Sequence, residues 1–351
     1  MTATVKANNT ALVYADYAEP IPGSGLATPI TAELHWLRMP LFSDSMAINC
    51  WALNEGEHWA IVDSGLHNAA TISAWQSTIT QTFKDQPVSR VFATHMHPDH
   101  AGMAGWLTKQ HSTSLWMTRD EYSMLQQFSE SDAEAAEQEK IFYQRAGMPA
   151  DWFNDFSARA QSFCKMVAPV SAPFKRMQDG DLIAIGNREW QCIVGRGHSP
   201  EHACLWNRED GLLISGDQVL PEISSNVSVL PGAPAADPLS DWLASLARIR
   251  QLVPDSVLVL PAHGRPFYGL HARIDALIAS HEGKLDRLLK VLNTPQRAVD
   301  VFSQLFRQVP PNFMSRSLAT GEAMAHLACL KTRGQAVSFT DSQGVLWWQR
   351  N

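Results

Sequence analysis

The sequence has little cysteine. There are five in 351 residues (Cys50, Cys164, Cys192, Cys204 and Cys329), an odd number, widely spaced and without a CxxC pair. That pattern argues against a disulfide framework and against a cysteine zinc site. It fits small buried apolar side chains in a reducing compartment. Long apolar runs are also missing, since none approaches the ~20 residues needed to cross a bilayer. The first twenty residues hold no basic region followed by an apolar core, so no secretory signal is expected. These absences predict a cytoplasmic protein with no membrane partner. Charge is sparse too: Asp, Glu, Lys and Arg make up 18% of the chain and sum to −7. An acidic chain is a poor match to a protein dedicated to nucleic acid. What is present is an ordinary globular composition with 45% hydrophobic residues.

The length exceeds one typical hydrophobic core, which predicts a large domain with a small one appended. Residues 1–30 are polar and rich in Pro and Gly, and read as an irregular lead-in. Residues 31–282 read as the main domain. There, short β-rich runs (47–53, 59–62, 88–94, 114–118, 181–185, 190–194, 212–215, 257–260) alternate with helical periods at 68–84 and 102–110. That alternation predicts a layered α/β fold. A segment at about 119–165 is rich in Glu, Gln and Ala and reads as a helical insertion. Its aromatics (Phe128, Phe142, Tyr143, Trp152, Phe153, Phe156) either pack it against the body or line an apolar pocket. Residues 221–238 read as a long loop. Residues 283–351 read as a separate unit, with helical periods at 284–292, 297–308 and 321–333. A hairpin (336–340, 345–349) follows, turning at 341–344. Three helices and a β-wing outline a winged-helix-like domain.

The chemistry is concentrated in Thr94-His95-Met96-His97-Pro98-Asp99-His100, which directly follows a predicted strand. In an extended segment residues i and i+2 project to the same side, so His95 and His97 can pinch one ion. A turn at Pro98 can aim Asp99 and His100 at a second ion nearby. Imidazole and carboxylate suit zinc, and the same donors hold iron or manganese. Further donors follow three later strands: His198, Asp217 and His263 each sit just past a strand's C-terminal end, where α/β folds place their sites. Ser64 and Ser199 lie nearby, but neither stands in a GxSxG elbow, so a serine nucleophile is not expected. His202 and Arg196 flank His198 and read as supporting or surface polar residues. The remaining histidines have no ligand-like spacing.

The series His95/His97/Asp99/His100, His198, Asp217, His263 resembles the metallo-β-lactamase superfamily over roughly residues 30–270. The resemblance implies an αββα sandwich. It also implies a division of ligands: His95, His97 and His198 on one metal, Asp99, His100 and His263 on the other, and Asp217 bridging. Asp63, in Ile61-Val62-Asp63-Ser64-Gly65, matches the family aspartate that supports the metal loop. No cysteine stands at a ligand position, which sets the chain apart from clinical β-lactamases and nearer to the glyoxalase II, lactonase and ribonuclease Z branches. Gly197-His198-Ser199-Pro200-Glu201-His202, Gly216-Asp217-Gln218-Val219-Leu220-Pro221 and Ser224-Ser225-Asn226 are most similar to the β-lactamase-like protein 2 group. Members of that group carry a C-terminal winged-helix domain. The implied chemistry is hydrolysis by a hydroxide generated at two zinc ions, with Asp99 also aiming the attacking water.

Two substrate classes follow. A small-molecule thioester, ester or lactone fits the acidic charge and the aromatic insertion. Single-stranded RNA is the alternative. Residues 284–351 carry nine Lys/Arg against four Asp/Glu, leaving −12 on the rest of the chain. Such a basic unit suits phosphates. It equally suits a small domain that packs on the core or forms a homodimer. A ligand-binding sensor without catalysis would not need so complete a ligand set.

Overall fold

The computed structural model describes residues 12–42, 46–129, 133–153, 165–171, 173–308 and 310–351. Cys164, Phe156 and the Phe128 side chain lie outside the described part. The first half runs β1 (Val13–Tyr14), β2 (Thr28–Pro29), β3 (Leu34–Pro40), β4 (Ala47–Asn54), β5 (Trp59–Val62), α1 (Ala69–Gln81) and β6 (Val88–Phe92). Then follow α2 (Pro98–Ala101), α3 (Ala104–His111), β7 (Ser114–Met117), α4 (Arg119–Ser129), α5 (Ala133–Arg145) and β8 (Phe174–Arg176). The second half runs β9 (Leu182–Ile185), β10 (Arg188–Gly195), β11 (His202–Asn207), β12 (Leu212–Gly216), α6 (Pro238–Leu252), β13 (Leu258–Pro261) and β14 (Phe267–Tyr268). It ends with α7 (Leu270–Val291), α8 (Phe302–Leu305), α9 (Phe313–Thr332), β15 (Ala336–Thr340) and β16 (Leu346–Arg350).

Among the described residues the strands form two seven-stranded sheets, ordered β2-β3-β4-β5-β6-β7-β8 and β1-β14-β13-β12-β11-β10-β9, plus the β15-β16 hairpin. Period-two alternation sorts side chains between layers. In β4, Ile48, Cys50 and Ala52 face the helices, while Trp51 and Leu53 face the second sheet. In β12, Leu213 faces the helices and Leu212 and Ile214 face the first sheet. Trp75 of α1 and Leu107 of α3 cover the first sheet's outer face. Leu239, Trp242, Leu246 and Ile249 of α6, with Leu270 and Ile274 of α7, cover the second's. Each such burial stabilises by about 1.5–3 kcal/mol. The result is the αββα sandwich that the motifs imply.

The lead-in is less irregular than its composition suggests. Val13 pairs with Tyr268 and Thr28 with Trp36, so β1 and β2 extend the two sheets at their edges. Two-residue pairings are too short to show an alternation in sequence. The insertion's aromatics pack against the C-terminal helices: Tyr143 and Phe153 lie 5.7 and 5.9 Å from Phe313, and Trp152 lies 6.3 Å from Phe302. α7 runs unbroken through position 283, and the hairpin pairs Ala336 with Arg350 through Thr340 with Leu346.

Candidate metal centre

β5 and β6 pair in parallel, as do β12 and β13, and side chains just beyond their C-terminal ends converge. Asp63 follows β5, and the stretch from Thr94 to His100 follows β6. His198 follows β10, Asp217 follows β12 and His263 follows β13. A register shift between Ile214 and Gly216 ends β12, and Gly216 adopts φ +50°. A side chain there would strike the His202 ring at 2.5 Å, so only glycine admits the turn that presents Asp217.

The seven donors fall into two groups. His95 Nε2, His97 Nδ1 and His198 Nε2 are mutually 2.8, 3.1 and 3.2 Å apart. Ligand nitrogens of a tetrahedral zinc, each at about 2.1 Å, are separated by about 3.4 Å. In the second group, Asp99 Oδ2 lies 3.7 Å from His100 Nε2 and 3.4 Å from His263 Nε2. Asp217 spans both. Its Oδ2 is 3.5 Å from His198 Nε2, and its Oδ1 is 3.5 Å from His100 Nε2 and 3.6 Å from His263 Nε2. Each of these three-residue groups is compact enough to hold an ion, and so is the separate set of His95, His100 and Asp217.

The hydrogen bonds behind the rings establish which nitrogens face inward. His198 Nδ1–H donates to the carbonyl of Asn226 at 2.7 Å, leaving a lone pair on Nε2. Asp63 Oδ1 accepts from the Thr94 N–H at 2.8 Å, and Oδ2 accepts from the Thr94 hydroxyl at 2.9 Å. With its proton so committed, Thr94 Oγ1 accepts from His95 Nδ1 at 3.1 Å, which turns a second lone pair inward. Two lone pairs facing each other at 3.2 Å repel unless a cation lies between them. Asp63 Oδ2 also accepts from His100 Nδ1–H at 2.8 Å. His100 Nε2 then points at two carboxylates, and both it and Asp217 Oδ1 are buried without a hydrogen-bond partner. This donor set fits metal ions, and carboxylates that orient ligating histidines tune them.

The electrostatics agree. Burial, with the neighbouring His198 imidazole, pushes His97 down to about 3, which keeps the ring neutral and its lone pair available to a metal. Burial also drives His95 well below its ordinary value, and surrounding imidazoles add to the effect. At His100 burial acts downward, but Asp217, Asp63 and Asp99 outweigh it and the pKa is raised well above the usual range. Burial acts upward on Asp99 and Asp217, yet His100 and His263 hold both carboxyls below theirs. His95 and His100 are sealed from solvent, whereas the Asp99 and His263 side chains are 27% and 21% exposed.

Other sequence expectations fall into place around this centre. His202 is buried, and its Nε2 accepts the Asp217 backbone N–H at 3.0 Å. Arg196 is exposed and pairs with Glu201. Ser64 is buried and donates to the His100 carbonyl, a structural bond and not a nucleophile's arrangement. Residues without a sequence signal also contribute. Glu121 of α4 accepts the Met96 N–H at 2.9 Å and the Glu201 N–H at 2.7 Å, tying the loop of His95 and His97 to the loop beyond His198.

Residues 44–264 match the family model "Metallo-beta-lactamase superfamily", and residues 285–351 match "Metallo-beta-lactamase-like, C-terminal domain". The chain is 25% identical over 306 residues to the probable metallo-hydrolase YqjP of Bacillus subtilis, covering 84% of this chain and 91% of that one. It is 25% identical over 253 residues to the acyl-coenzyme A thioesterase MBLAC2 of Gallus gallus, covering 68% and 80%. Among solved structures, a beta-lactamase domain protein from Burkholderia ambifaria superposes with a TM-score of 0.86 at 35% identity, covering 98% and 99% of the two chains.

Proposed function

The chain belongs to the metallo-beta-lactamase superfamily, and from that premise we propose that it is a dinuclear metallo-hydrolase that cleaves a small-molecule thioester. Asp217 carries the reading, because its two oxygens face two separate groups of three donors. His95, His97 and His198 would hold one ion and Asp99, His100 and His263 the other, with Asp217 placed to serve both. Zinc suits these donors best, with iron or manganese as alternatives. When bound, such ions make water acidic and polarise the scissile carbonyl. The chain's own residues supply the rest. Asp63 fixes the His100 tautomer. Asp99, open to solvent, accepts a hydrogen bond from the attacking water and aims it. The similarity to an acyl-coenzyme A thioesterase supports an acyl thioester, ahead of a simple ester or lactone.

Residues 283–351 form the winged-helix-like unit in this reading, and the buried free thiols suit the cytoplasm. The charge of that unit does not favour RNA. Three of its nine basic side chains are engaged in ion pairs, Lys284 with Glu322, Arg297 with Asp300 and Arg333 with Glu282, and because Glu282 lies outside residues 284–351 the last pair also offsets one of the five surplus charges.

The test is metal analysis of the purified protein, followed by assay of acyl thioesters, lactones, a chromogenic cephalosporin and single-stranded RNA. The expected result is about two ions per chain and thioester turnover that falls about 10²–10³-fold in Asp99→Ala. A protein without metal, or a variant as fast as the parent, overturns the proposal. Salt-sensitive RNA cleavage with inert thioesters overturns the substrate assignment.

A further inference from the structure

Three consecutive residues, Ser224-Ser225-Asn226, touch the metal centre on one side and the C-terminal helices on the other. Toward the centre, the Asn226 carbonyl accepts His198 Nδ1–H at 2.7 Å, and the Ser225 hydroxyl donates to the Asp217 carbonyl. Toward the C-terminal helices, Asn226 Nδ2 donates to Glu322 Oε2 of α9 at 3.1 Å, and Ser224 Oγ lies 3.1 Å from His281 Nε2 of α7. Glu322 is buried, and its Oε1 accepts from Lys284 Nζ of α7 at 2.7 Å. The stretch is seated closely on α9. The Val229 N–H donates to the Gly321 carbonyl at 3.0 Å, and a Cβ on Gly321 would come within 2.7 Å of the Ser228 side chain.

Residues 221–237 contain no helix or strand, so no backbone ladder fixes the Asn226 carbonyl. Side-chain bonds place that carbonyl instead: Asn226 Nδ2 reaches Glu322 and, at 3.5 Å, the main-chain oxygen of Leu318, and Oδ1 accepts from the Ser228 hydroxyl at 2.5 Å, with Glu322 the one charged partner among them. That carbonyl in turn decides which nitrogen of His198 faces His95 and His97, and at what angle. A buried ion pair is a poor source of stability but a strict source of geometry, because removing either charge leaves the other unpaired. We propose that Glu322, backed by Lys284, is a positioning residue for the metal centre: acting through Asn226 it sets His198, so the C-terminal unit completes the site of the main domain. The inference rests on His198 being a metal ligand.

The experiment measures Zn²⁺ affinity of the full-length protein by competition with a chromophoric chelator, alongside thermal unfolding of the metal-stripped protein. The variants are Asn226→Ala, Glu322→Gln, the polarity swap Asn226→Asp with Glu322→Gln, His198→Ala as reference, and Arg333→Ala as a remote change in the same unit. Asn226→Ala and Glu322→Gln should each weaken Zn²⁺ binding about 10-fold or more. The swap should regain affinity, and Arg333→Ala should leave it unchanged. If Glu322→Gln does not fold, Asn226→Ala and the swap decide. Full affinity in Asn226→Ala, beside a loss in His198→Ala, overturns the positioning role whatever happens to the melting temperature. Full affinity in His198→Ala instead removes the ligand assignment beneath it.

Discussion

At the scale of single residues, Glu121 shows how a buried carboxylate can serve a site it never enters. Its oxygens accept two backbone N–H groups, one from Met96 between two candidate ligands. Burial pushes its pKa up to about 7 against the Ser199 hydroxyl and those two donors, and the nearby Glu201 carboxylate adds to the rise. Because the folded value lies above the unfolded 4.5, the folded protein binds this proton more tightly. The associated stability is full below pH 4.5 and is lost as pH rises through 7. The parent should therefore lose up to about 3 kcal/mol of stability relative to Glu121→Gln between pH 4.5 and 8 in urea unfolding. A gap that stays constant with pH would mean that Glu121 does not titrate in this range. The residues from His95 to His100 were legible because donors of the right type were dense. Glu121 was not, because its partners are main-chain groups that any sequence supplies.

At the scale of elements, the helix pair α2–α3 is carried through a tight crossing at Gly102. A Cβ there would meet the Pro98 carbonyl oxygen, and those of Met166 and Gly65 at 2.6 and 2.7 Å. All three are backbone atoms that cannot turn aside. Gly102→Ala should cost about 3 kcal/mol in denaturant unfolding, and a variant as stable as the parent would show that the crossing can open. Strands that end at the site were readable from short β-rich runs, as was the C-terminal hairpin. Two helices were read incompletely for different reasons. α6 is absent from the sequence reading although its start is marked by Asp237 as N-cap and Pro238 in its first turn. The Pro-rich loop before it masks that signal. α7 begins at Leu270, but its buried face passes from Leu270, Ile274 and Leu277 to His281 and Lys284. Polar residues on the buried face interrupt the apolar period in the middle of the helix, so the second half reads as a separate segment, while Leu270, Ile274 and Leu277 carry a helical spacing that the sequence reading passed over. Those same polar residues belong to the network that reaches His198.

At the scale of the whole molecule, one hydrophobic cluster joins the two matched regions. Trp242 and Leu246 of α6, Ile274 of α7, and Ala323, Leu327 and Leu330 of α9 share it, together with Phe142 of the insertion. Removing residues 283–351 would uncover this surface, so a 1–282 fragment should be insoluble or aggregate on size-exclusion chromatography. A monodisperse fragment with native Zn²⁺ affinity would contradict both the shared core and the role of Glu322. The order of the donors along the chain has a consequence for synthesis. His198 emerges 103 residues after His95, with Asp217 and His263 later still. At about 5–20 residues per second, the first four donors wait roughly 5–20 s on the ribosome before the next one exists. An ion captured in that interval would be held by an incomplete and exposed set. Under the proposed ligand assignment a complete donor set exists only once His263 has emerged, and Glu322 emerges 59 residues later still.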